Sequence, residues 1–202
     1  KGYYARFLSE LPTIKALSDC PPDRLTKLWE GLGYYSRVRN LQKAAKAIME
    51  EFGGEFPGTY EAVRALPGVG DYTAGAICSI CFERPTPAVD GNVLRVLSRV
   101  MEDGAPVTNQ KTKTAYREAL LPLYEAGSRG TLTQALMELG AMVCGPNGAP
   151  KCESCPLRDM CLANAHGTWE KYPVKEAKKA KREEEKTVFY LTCDGCLAVR
   201  KR

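Results

Sequence analysis

Apolar residues recur every three to four positions along most of the chain, as they do on the buried face of an α-helix. The spacing is clearest at Val38, Leu41, Ala45, Ile48 and Phe52, at Val93, Val96, Leu97 and Val100, and at Leu132, Leu136, Leu139 and Val143. Strict alternation of apolar and polar residues, which is typical of strands, is nearly absent before residue 187. The pattern predicts an all-α body from Tyr3 to about Leu162.

Local start and stop signals set the limits of several predicted helices. Asp23 follows two prolines and is predicted to cap a helix that runs to about residue 32. Thr59 is predicted to cap a short helix that runs through Leu66, and the next helix is expected over residues 71–82.

The pattern changes after Trp169. Residues 171–186 contain almost no core-forming residues and carry charges of both signs, which indicates a charged linker. The stretches 187–191 and 196–199 are rich in strand-forming residues, and between them Asp194-Gly195 is typical of a two-residue hairpin turn. We therefore expect residues 187–202 to open a further domain.

The composition is that of an ordinary globular protein. The 202 residues are 44% hydrophobic and 26% charged, which excludes collagen, a coiled coil and general disorder. No apolar run approaches the length of a membrane span. The net charge of +5 permits a polyanionic partner without requiring one. Because the sequence starts at Lys1 without a methionine or a signal peptide and stops at Arg202 within a strand-like pattern, we expect a fragment of a longer protein.

The segment Leu66-Pro67-Gly68-Val69-Gly70 lies between two predicted helices. Two glycines allow a tight turn with positive φ and a close approach of the backbone to a ligand. The helix that follows presents free N–H groups and a positive dipole end, which suit a phosphate oxygen. A plain helix–helix turn is the alternative, and this segment alone does not decide between the two.

The nine cysteines are unevenly distributed. Their odd number and the lack of a visible secretory signal argue against a disulfide framework. Four follow the spacing Cys144-x7-Cys152-x2-Cys155-x5-Cys161, which indicates metal ligands. Structural zinc sites usually pair two Cys-x2-Cys units, and the single unit here favours a 4Fe–4S cluster. The pairs at 78–81 and 193–196 have no matching second pair, and we expect both to be structural.

Two further segments contain candidate functional residues. Asp90 precedes a predicted helix, where an aspartate most often serves as N-cap, and a catalytic carboxylate is the alternative. Residues 31–40, with glycines, paired tyrosines and spaced arginines, could wedge into a base stack and hold phosphates. A kinked helix junction with surface arginines explains the same residues, and the local sequence does not decide between the two.

Taken in order, GLGYYSRVRNL, LPGVGDYTAGAI, PAVDGNVLRVL, ALMELGAMVC and KCESCPLRDMC resemble the sequence blocks of helix-hairpin-helix DNA glycosylases with a terminal iron–sulfur loop. The MutY-type adenine DNA glycosylases are the most similar group. The resemblance extends from Tyr3 to about Tyr172, and the last residues resemble the opening strands of a Nudix-like domain that recognises 8-oxoguanine.

This resemblance implies that the chain is divided into four parts. Residues 1–84 would form a partial six-helix barrel domain with the helix-hairpin-helix at 60–82, and 85–170 an iron–sulfur domain that carries Asp90. A charged linker over 171–186 and the truncated start of the recognition domain over 187–202 would follow. The protein would act as a monomer in the bacterial cytoplasm or nucleoid on double-stranded DNA that contains A:8-oxoguanine or A:G mispairs.

The resemblance also implies roles for individual residues. Asp90 would stabilise an oxocarbenium-like transition state after the adenosine flips out of the duplex, and Tyr72 and Asn92 would assist it. Tyr34 would insert beside the 8-oxoguanine. The implied DNA-binding residues are Tyr34, Arg37, Leu66, Gly68, Val69, Gly70, Thr73 and Lys151. The implied ligands of a 4Fe–4S cluster are Cys144, Cys152, Cys155 and Cys161.

Two alternatives and two departures accompany this interpretation. A bifunctional endonuclease III-like enzyme would need a lysine where Tyr72 stands, so we predict a monofunctional glycosylase. A cluster-bearing module that only docks on DNA is the other alternative. The seven-residue spacer after Cys144 is one longer than is usual in the family. The family's general acid, a glutamate, precedes the point where this sequence begins, so we expect the fragment alone to be inactive or nearly so.

Overall fold

The computed structural model describes residues 2–176 and 183–198, and nearly all of their regular structure is helical. In chain order the α-helices are α1 Gly2–Glu10, α2 Ile14–Asp19, α3 Pro22–Leu28, α4 Ser36–Glu51, α5 Tyr60–Ala65, α6 Asp71–Phe82, α7 Gly91–Met101, α8 Gln110–Ala126, α9 Arg129–Glu138 and α10 Leu162–Ala165. A π-helical turn follows α9 at Leu139–Val143, and 3₁₀ turns occupy Cys152–Ser154, Arg158–Met160 and Trp169–Lys171. The predicted all-α body is confirmed.

The first helices pack around Leu25 and Val38, which are almost completely buried. From α4, Gln42 reaches the end of α2, where its amide nitrogen Nε2 donates to the carbonyl oxygens of Cys20 at 2.6 Å and Leu17 at 3.2 Å. The amide thereby bonds carbonyls at the C-terminal end of the short helix α2, where the helix itself supplies few donors. This contact fixes α2 against α4.

Helix α3 differs from its predicted limits. Its N-cap is Pro21 and it begins at Pro22, so the predicted cap at Asp23 is wrong, and Asp23 lies in the first turn instead. Proline is favoured at the first helical position because the N–H that it lacks would have no partner there. The helix also ends at Leu28, earlier than the leucine pattern predicts.

A buried chain of hydroxyl groups joins α6, α8 and α9. The Thr133 hydroxyl lies 2.7 Å from the hydroxyl of Ser79 and 2.8 Å from that of Tyr124, and all three residues are fully buried. Buried hydroxyls are costly unless they are hydrogen-bonded, so this chain fixes the three helices in one arrangement. On α6, Gly75 allows a close approach, because a Cβ there would lie 2.6 Å from the carbonyl oxygen of Pro87.

Helix α7 combines an apolar stripe with two buried arginines. Val93 and Val96 are buried in the core, as the helical spacing predicts. Arg95 and Arg99, one turn apart, are also at least nine-tenths buried. A buried guanidinium requires several acceptors, and both find them in the segment after α9.

The charged segment at 171–186 begins against the helical body. Val107 donates its backbone N–H to the carbonyl oxygen of Val174 at 2.9 Å, and the N–H of Glu176 reaches the Thr108 hydroxyl at 3.4 Å. The middle of the predicted linker, residues 177–182, lies outside the described residues.

A short β-hairpin is present near the described C-terminal end. Its strands are β1 Thr192–Cys193 and β2 Cys196–Leu197, joined through Asp194-Gly195, so the predicted turn is confirmed. The strand predicted over 187–191 is wrong, because the first strand begins only at Thr192. Strand propensity alone did not place the register, which the two-residue turn sets. Residues 199–202 lie outside the described part.

The other two Cys-x2-Cys pairs are not alike. Cys78 is buried in the core, as expected for a structural thiol, but Cys81 is exposed. Cys193 and Cys196 are both exposed, so burial gives no support to the structural role that was expected for this pair. Within the described residues, no helix is both long and apolar enough to cross a membrane.

Candidate active site and cysteine-lined cavity

The turn between α5 and α6 is fixed from two sides. Gly68 has φ of 78°, a conformation that side chains disfavour, and a Cβ there would lie 2.5 Å from the Cβ of Asn40 on α4. Leu66 is buried and Val69 packs between two core clusters. The side chain of Leu66 therefore belongs to the core, and any contact that it makes with DNA is through its backbone.

Helix α6 starts without a side-chain cap. Its N-cap is Gly70, which has no side chain to accept from the first N–H groups. The N–H groups of the first turn, from Asp71 to Thr73, have no partners within the helix. They carry the positive end of the helix dipole and suit an anionic oxygen. The turn thus has the geometry that its sequence predicts for a phosphate contact.

An ion pair closes the turn. Arg64 on α5 donates from Nε to Asp71 Oδ1 at 2.6 Å and from Nη1 to the carbonyl oxygen of Val69 at 3.0 Å. The hydrogen bond from Arg64 is the main reason that the pKa of Asp71 is lowered. Gln110, at the start of α8, donates to the other carboxylate oxygen of Asp71 at 3.3 Å. These bonds join both helices of the turn to α8.

One open pocket of about 430 Å³ joins the turn to the start of α7. Its lining includes Gly70, Tyr72 and Thr73 from the turn and α6, and Asp90 from the N-terminus of α7. The fold therefore brings together two motifs that lie 20 residues apart in the sequence. Helix α8 forms a further wall with Gln110, Lys113, Thr114 and Arg117.

Asp90 is the N-cap of α7 and also faces this pocket. Its Oδ1 accepts from the backbone N–H groups of Asn92 at 2.9 Å and Val93 at 2.8 Å. Its Oδ2 accepts from the side-chain amide of Asn92 at 2.9 Å. The capping and catalytic interpretations are thus compatible, because the cap holds the carboxylate in a fixed orientation at the pocket wall.

Tyr72 lines the same pocket as Asp90. Partial burial, and secondarily the negative charge of Asp90, raise the pKa of the Tyr72 hydroxyl. The phenol is therefore protonated at neutral pH and can donate a hydrogen bond. Its oxygen lies 3.8 Å from the sulfur of Met137 on α9.

Arg95 connects the Asp90 region to the segment after α9. Its Nη2 donates to Asn92 Oδ1 at 2.9 Å and to the carbonyl oxygen of Gly140 at 2.7 Å. Its Nε donates to the carbonyl oxygen of Cys144 at 2.8 Å. A continuous series of hydrogen bonds thus runs from Asp90 through Asn92 and Arg95 to the backbone of Cys144.

The predicted ligand cysteines line one cavity beside α7. Cys144, Cys152, Cys155 and Cys161 share it with apolar side chains that include Val96, Leu139 and Trp169. Burial, followed by the nearby thiols of the other three cysteines, raises the pKa of the Cys152 thiol. The fold therefore gathers four thiols that span 18 residues of sequence around a single apolar space.

Arg99 holds this cavity against α7. It donates from Nη1 to the Cys144 sulfur at 3.2 Å and to the carbonyl oxygen of Gly145 at 3.1 Å. Its Nε donates to the carbonyl oxygens of Trp169 at 3.2 Å and Tyr172 at 3.1 Å. The guanidinium thus places a positive charge against a cavity thiol.

The four thiols are not arranged for a single metal ion. Among the described residues, no three histidine, cysteine, aspartate or glutamate side chains come together closely enough to hold one. The four cysteines share a cavity without converging on one point.

The remaining predicted DNA contacts lie apart from the Asp90 pocket. Tyr34 is 74% exposed, has φ of 46°, and its ring centroid is 4.8 Å from the guanidinium carbon of Arg37. Neither residue lines the pocket. Lys151 lies at the rim of the cysteine cavity. The structure therefore does not bring these three residues to Asp90, and their DNA contacts stay predictions.

Four residues of these sites were not predicted from the sequence. Arg95 and Arg99 interrupt an apolar stripe at a spacing of four, which is the only local signal that they face the interior. Lys113 and Arg117 have the same spacing on α8 and resemble ordinary surface charges in the sequence. Their importance comes from the packing of α8 against the turn.

The sequence matches the model of the HhH-GPD superfamily of base excision DNA repair proteins over residues 1–122. The match covers more than half of the chain and includes the turn, α6 and the Asp90 region. The chain therefore belongs to this superfamily.

Curated relatives of the chain are adenine DNA glycosylases. Those of Rattus norvegicus and Homo sapiens are 44% and 43% identical over 163 residues, which is 80% of this chain and 31% and 30% of theirs. That of Buchnera aphidicola subsp. Schizaphis graminum is 39% identical over 180 residues, 88% of this chain and 51% of its own. The chain thus spans about one third to one half of the length of these relatives.

Solved structures show the same fold. A thermostable thymine-DNA glycosylase superposes with a TM-score of 0.68 at 25% identity, over 82% of this chain and 76% of that one. An endonuclease III bound non-covalently to DNA superposes with a TM-score of 0.69 at 24% identity and the same coverage. The predicted helix-hairpin-helix DNA glycosylase fold is confirmed.

Proposed function

We propose that the protein is a monofunctional adenine DNA glycosylase that excises adenine mispaired with 8-oxoguanine or guanine. The observation that carries the proposal is the shared pocket of Asp90 and the phosphate-suited turn. A turn that holds the DNA backbone and a carboxylate that faces the sugar must lie side by side for glycosidic cleavage. The similarity to relatives named adenine DNA glycosylase supports adenine as the base.

In the proposed reaction, Asp90 stabilises the positive charge that develops on the sugar as the N-glycosidic bond breaks. A carboxylate that is already oriented needs no reorganisation at that moment, which is the basis of electrostatic catalysis. Asn92 contributes to this orientation through the hydrogen bond that it donates to Asp90. Tyr72, protonated and in the same pocket, would donate a hydrogen bond to the DNA substrate.

The proposed DNA surface has a backbone part and a charged part. Gly68, Val69, Gly70 and Thr73 present backbone groups to a phosphate, as the turn geometry supports. Lys113 lines the same pocket and adds a positive charge beside it. Tyr34, Arg37 and Lys151 are proposed as further contacts outside the pocket, with Tyr34 beside the 8-oxoguanine.

We further propose that Cys144, Cys152, Cys155 and Cys161 hold a 4Fe–4S cluster. Four thiols that line one largely apolar cavity supply the donor set of a cubane in which each cysteine binds a different iron. When bound, the cluster would supply a rigid cross-link of the segment after α9. Arg99 would then donate a hydrogen bond to a ligand sulfur.

The cluster proposal is tested by the colour and metal content of the full-length protein. We expect iron and acid-labile sulfide in a ratio near that of a cubane, with broad absorption near roughly 400 nm. A colourless protein that holds stoichiometric zinc would contradict the proposal. The test is independent of glycosylase activity.

The remaining parts of the chain are assigned by the same interpretation. We propose that 1–84 belong to a six-helix barrel domain, 85–170 to the iron–sulfur domain, 171–186 to a linker, and 187–202 to the start of an 8-oxoguanine recognition domain. The protein would act as a monomer on genomic DNA within the cell, in the nucleoid if the source is bacterial.

The deciding experiment compares Asp90→Asn with wild type in the full-length protein. We expect single-turnover excision of adenine to fall by about 10³-fold while affinity for mispaired DNA changes little, because the lost charge acts on the transition state. Asp19→Asn, an equivalent change on the exposed surface, serves as the control. Unchanged excision by Asp90→Asn, or no excision by wild type, would favour a module that only docks on DNA.

A further inference from the structure

The two cysteines of the β-hairpin are direct cross-strand partners. Cys193 on β1 pairs with Cys196 on β2, and only Asp194 and Gly195 separate them. Both turn residues have positive φ, 47° and 74°, which is the conformation of a type I′ turn. The side chains of directly opposed residues lie on the same face of a hairpin.

The hairpin geometry brings these thiols within bonding reach. Ala198 donates its backbone N–H to the carbonyl oxygen of Leu191 at 2.9 Å, so the alternation of the ladder makes Cys193 and Cys196 a hydrogen-bonded pair as well. The Cα atoms of such a pair are about 5.5 Å apart, within the range of about 4.4–6.8 Å that a disulfide spans. The separation of the two backbones is therefore compatible with a disulfide.

This pair differs from the four cavity cysteines in its surroundings. Cys193 and Cys196 are exposed, whereas the cavity thiols are partly buried among apolar side chains. The Cys193 sulfur lies 3.7 Å from the carboxylate of Asp194 in the turn, and the strands are only two residues long. Oxidant can therefore reach the hairpin pair without entering the cysteine-lined cavity.

From this arrangement we infer that Cys193 and Cys196 form a reversible disulfide with hydroperoxides as the oxidant. One thiolate attacks the peroxide oxygen, which gives a sulfenic acid and releases an alcohol, or water from hydrogen peroxide. The second thiol then attacks the sulfenic sulfur, and water leaves as the S–S bond forms. Two thiols thereby lose two electrons and two protons to the peroxide.

The bond would have a direct effect on the hairpin. A two-stranded hairpin is marginally stable on its own, and its register is easily lost. A disulfide beside the turn fixes that register, whereas the reduced form relies on a few backbone hydrogen bonds. Exposed disulfides in short loops are also among the more easily reduced ones, which makes the change reversible by cellular thiols.

The test exposes the full-length protein to hydrogen peroxide, blocks free thiols by alkylation and maps cysteines by mass spectrometry after trypsin. Cleavage after Lys186 and Arg200 gives a peptide, residues 187–200, that contains Cys193 and Cys196 and no other cysteine. We expect this peptide to escape alkylation, to be lighter than the reduced form by two hydrogen atoms, and to revert with dithiothreitol.

Matched variants make the result decisive. In Cys193→Ser and Cys196→Ser the disulfide cannot form, and the remaining thiol should be alkylated or oxidised singly. Cys81, an exposed thiol on α6, is the control for general oxidation. Its oxidation state should have no effect on whether the peptide 187–200 is alkylated. If peroxide leaves both hairpin thiols open to alkylation while Cys81 is oxidised, the proposal is wrong. It is equally overturned if each thiol proceeds separately to sulfinic acid.

Discussion

Gly140 lies directly against Asn92. A Cβ at Gly140 would be 2.5 Å from the Cβ of Asn92 and 3.0 Å from its backbone carbonyl carbon, so only glycine fits there. The carbonyl oxygen of Gly140 also accepts from Arg95 at 2.7 Å. The π-helical turn that leads to the cavity cysteines is thus packed against the residue that orients Asp90.

We predict that Gly140→Ala lowers excision by roughly 10- to 100-fold, because the added methyl group must displace Asn92 and with it the carboxylate of Asp90. Single-turnover kinetics on mispaired DNA measure the effect. The control is Gly104→Ala, at a position where a Cβ meets no atom within 4 Å. Equal kinetics of the two variants would contradict the assigned packing.

Gly68 and Gly70 should respond differently to alanine. At Gly68 the methyl group would meet Asn40 and the backbone has positive φ, so we expect Gly68→Ala to lower the thermal midpoint. At Gly70 a Cβ meets no protein atom and φ is −97°, so Gly70→Ala should leave the midpoint unchanged.

DNA affinity is a second measurement that distinguishes the roles of the two glycines. If a phosphate approaches the start of α6, the Gly70→Ala methyl group should weaken DNA affinity although the fold is intact. Fluorescence anisotropy with mispaired duplex measures this. Wild-type affinity in Gly70→Ala would show that DNA does not come close to the turn.

Tyr72→Lys should introduce strand cleavage. An amine at this position would stand in the pocket with Asp90 and could attack the sugar carbon to form a Schiff base. We expect an adduct with DNA that borohydride traps and that appears as a slower band on a denaturing gel. Tyr72→Phe, which keeps the ring and lacks the amine, should give no adduct. The placement of Tyr72 beside the sugar would be refuted if the lysine variant also gave none.

Lys113→Ala should weaken binding to DNA of any sequence. Its charge lines the pocket beside the turn, and loss of one phosphate contact should reduce the slope of log affinity against log salt by about 1. Lys111→Ala removes a neighbouring exposed lysine outside the pocket and should leave the slope nearly unchanged. Identical slopes for the two variants would place Lys113 away from the DNA.

The sequence was most informative where the cause of a structure is local. The limits of α6 and the caps at Thr59 and Asp90 were predicted correctly, because they depend on neighbouring residues. The four cavity cysteines were recognised from spacing alone. Asp23 was misjudged because proline at the first helical position competes with a polar cap.

Long-range partners could not be predicted in this way. Arg95 lies 49 residues from Cys144, and nothing in the stretch around either residue indicates the hydrogen bond between them. The hydrogen bond between the hydroxyls of Ser79 and Thr133 is likewise not indicated by the sequence around either residue. Such contacts depend on how whole helices pack, and sequence periodicity specifies only which side of a helix is buried.

The hydrogen bonds of Arg95 also imply an order in which the parts of the pocket assemble during synthesis. Protein chains emerge from the ribosome N-terminus first, so α7 and Asp90 are made well before Gly140 and Cys144. Until those residues arrive, the Arg95 guanidinium lacks the carbonyl oxygens that it bonds in the folded protein. The wall of the pocket is therefore completed only after the cysteine segment has been made and has folded back onto α7.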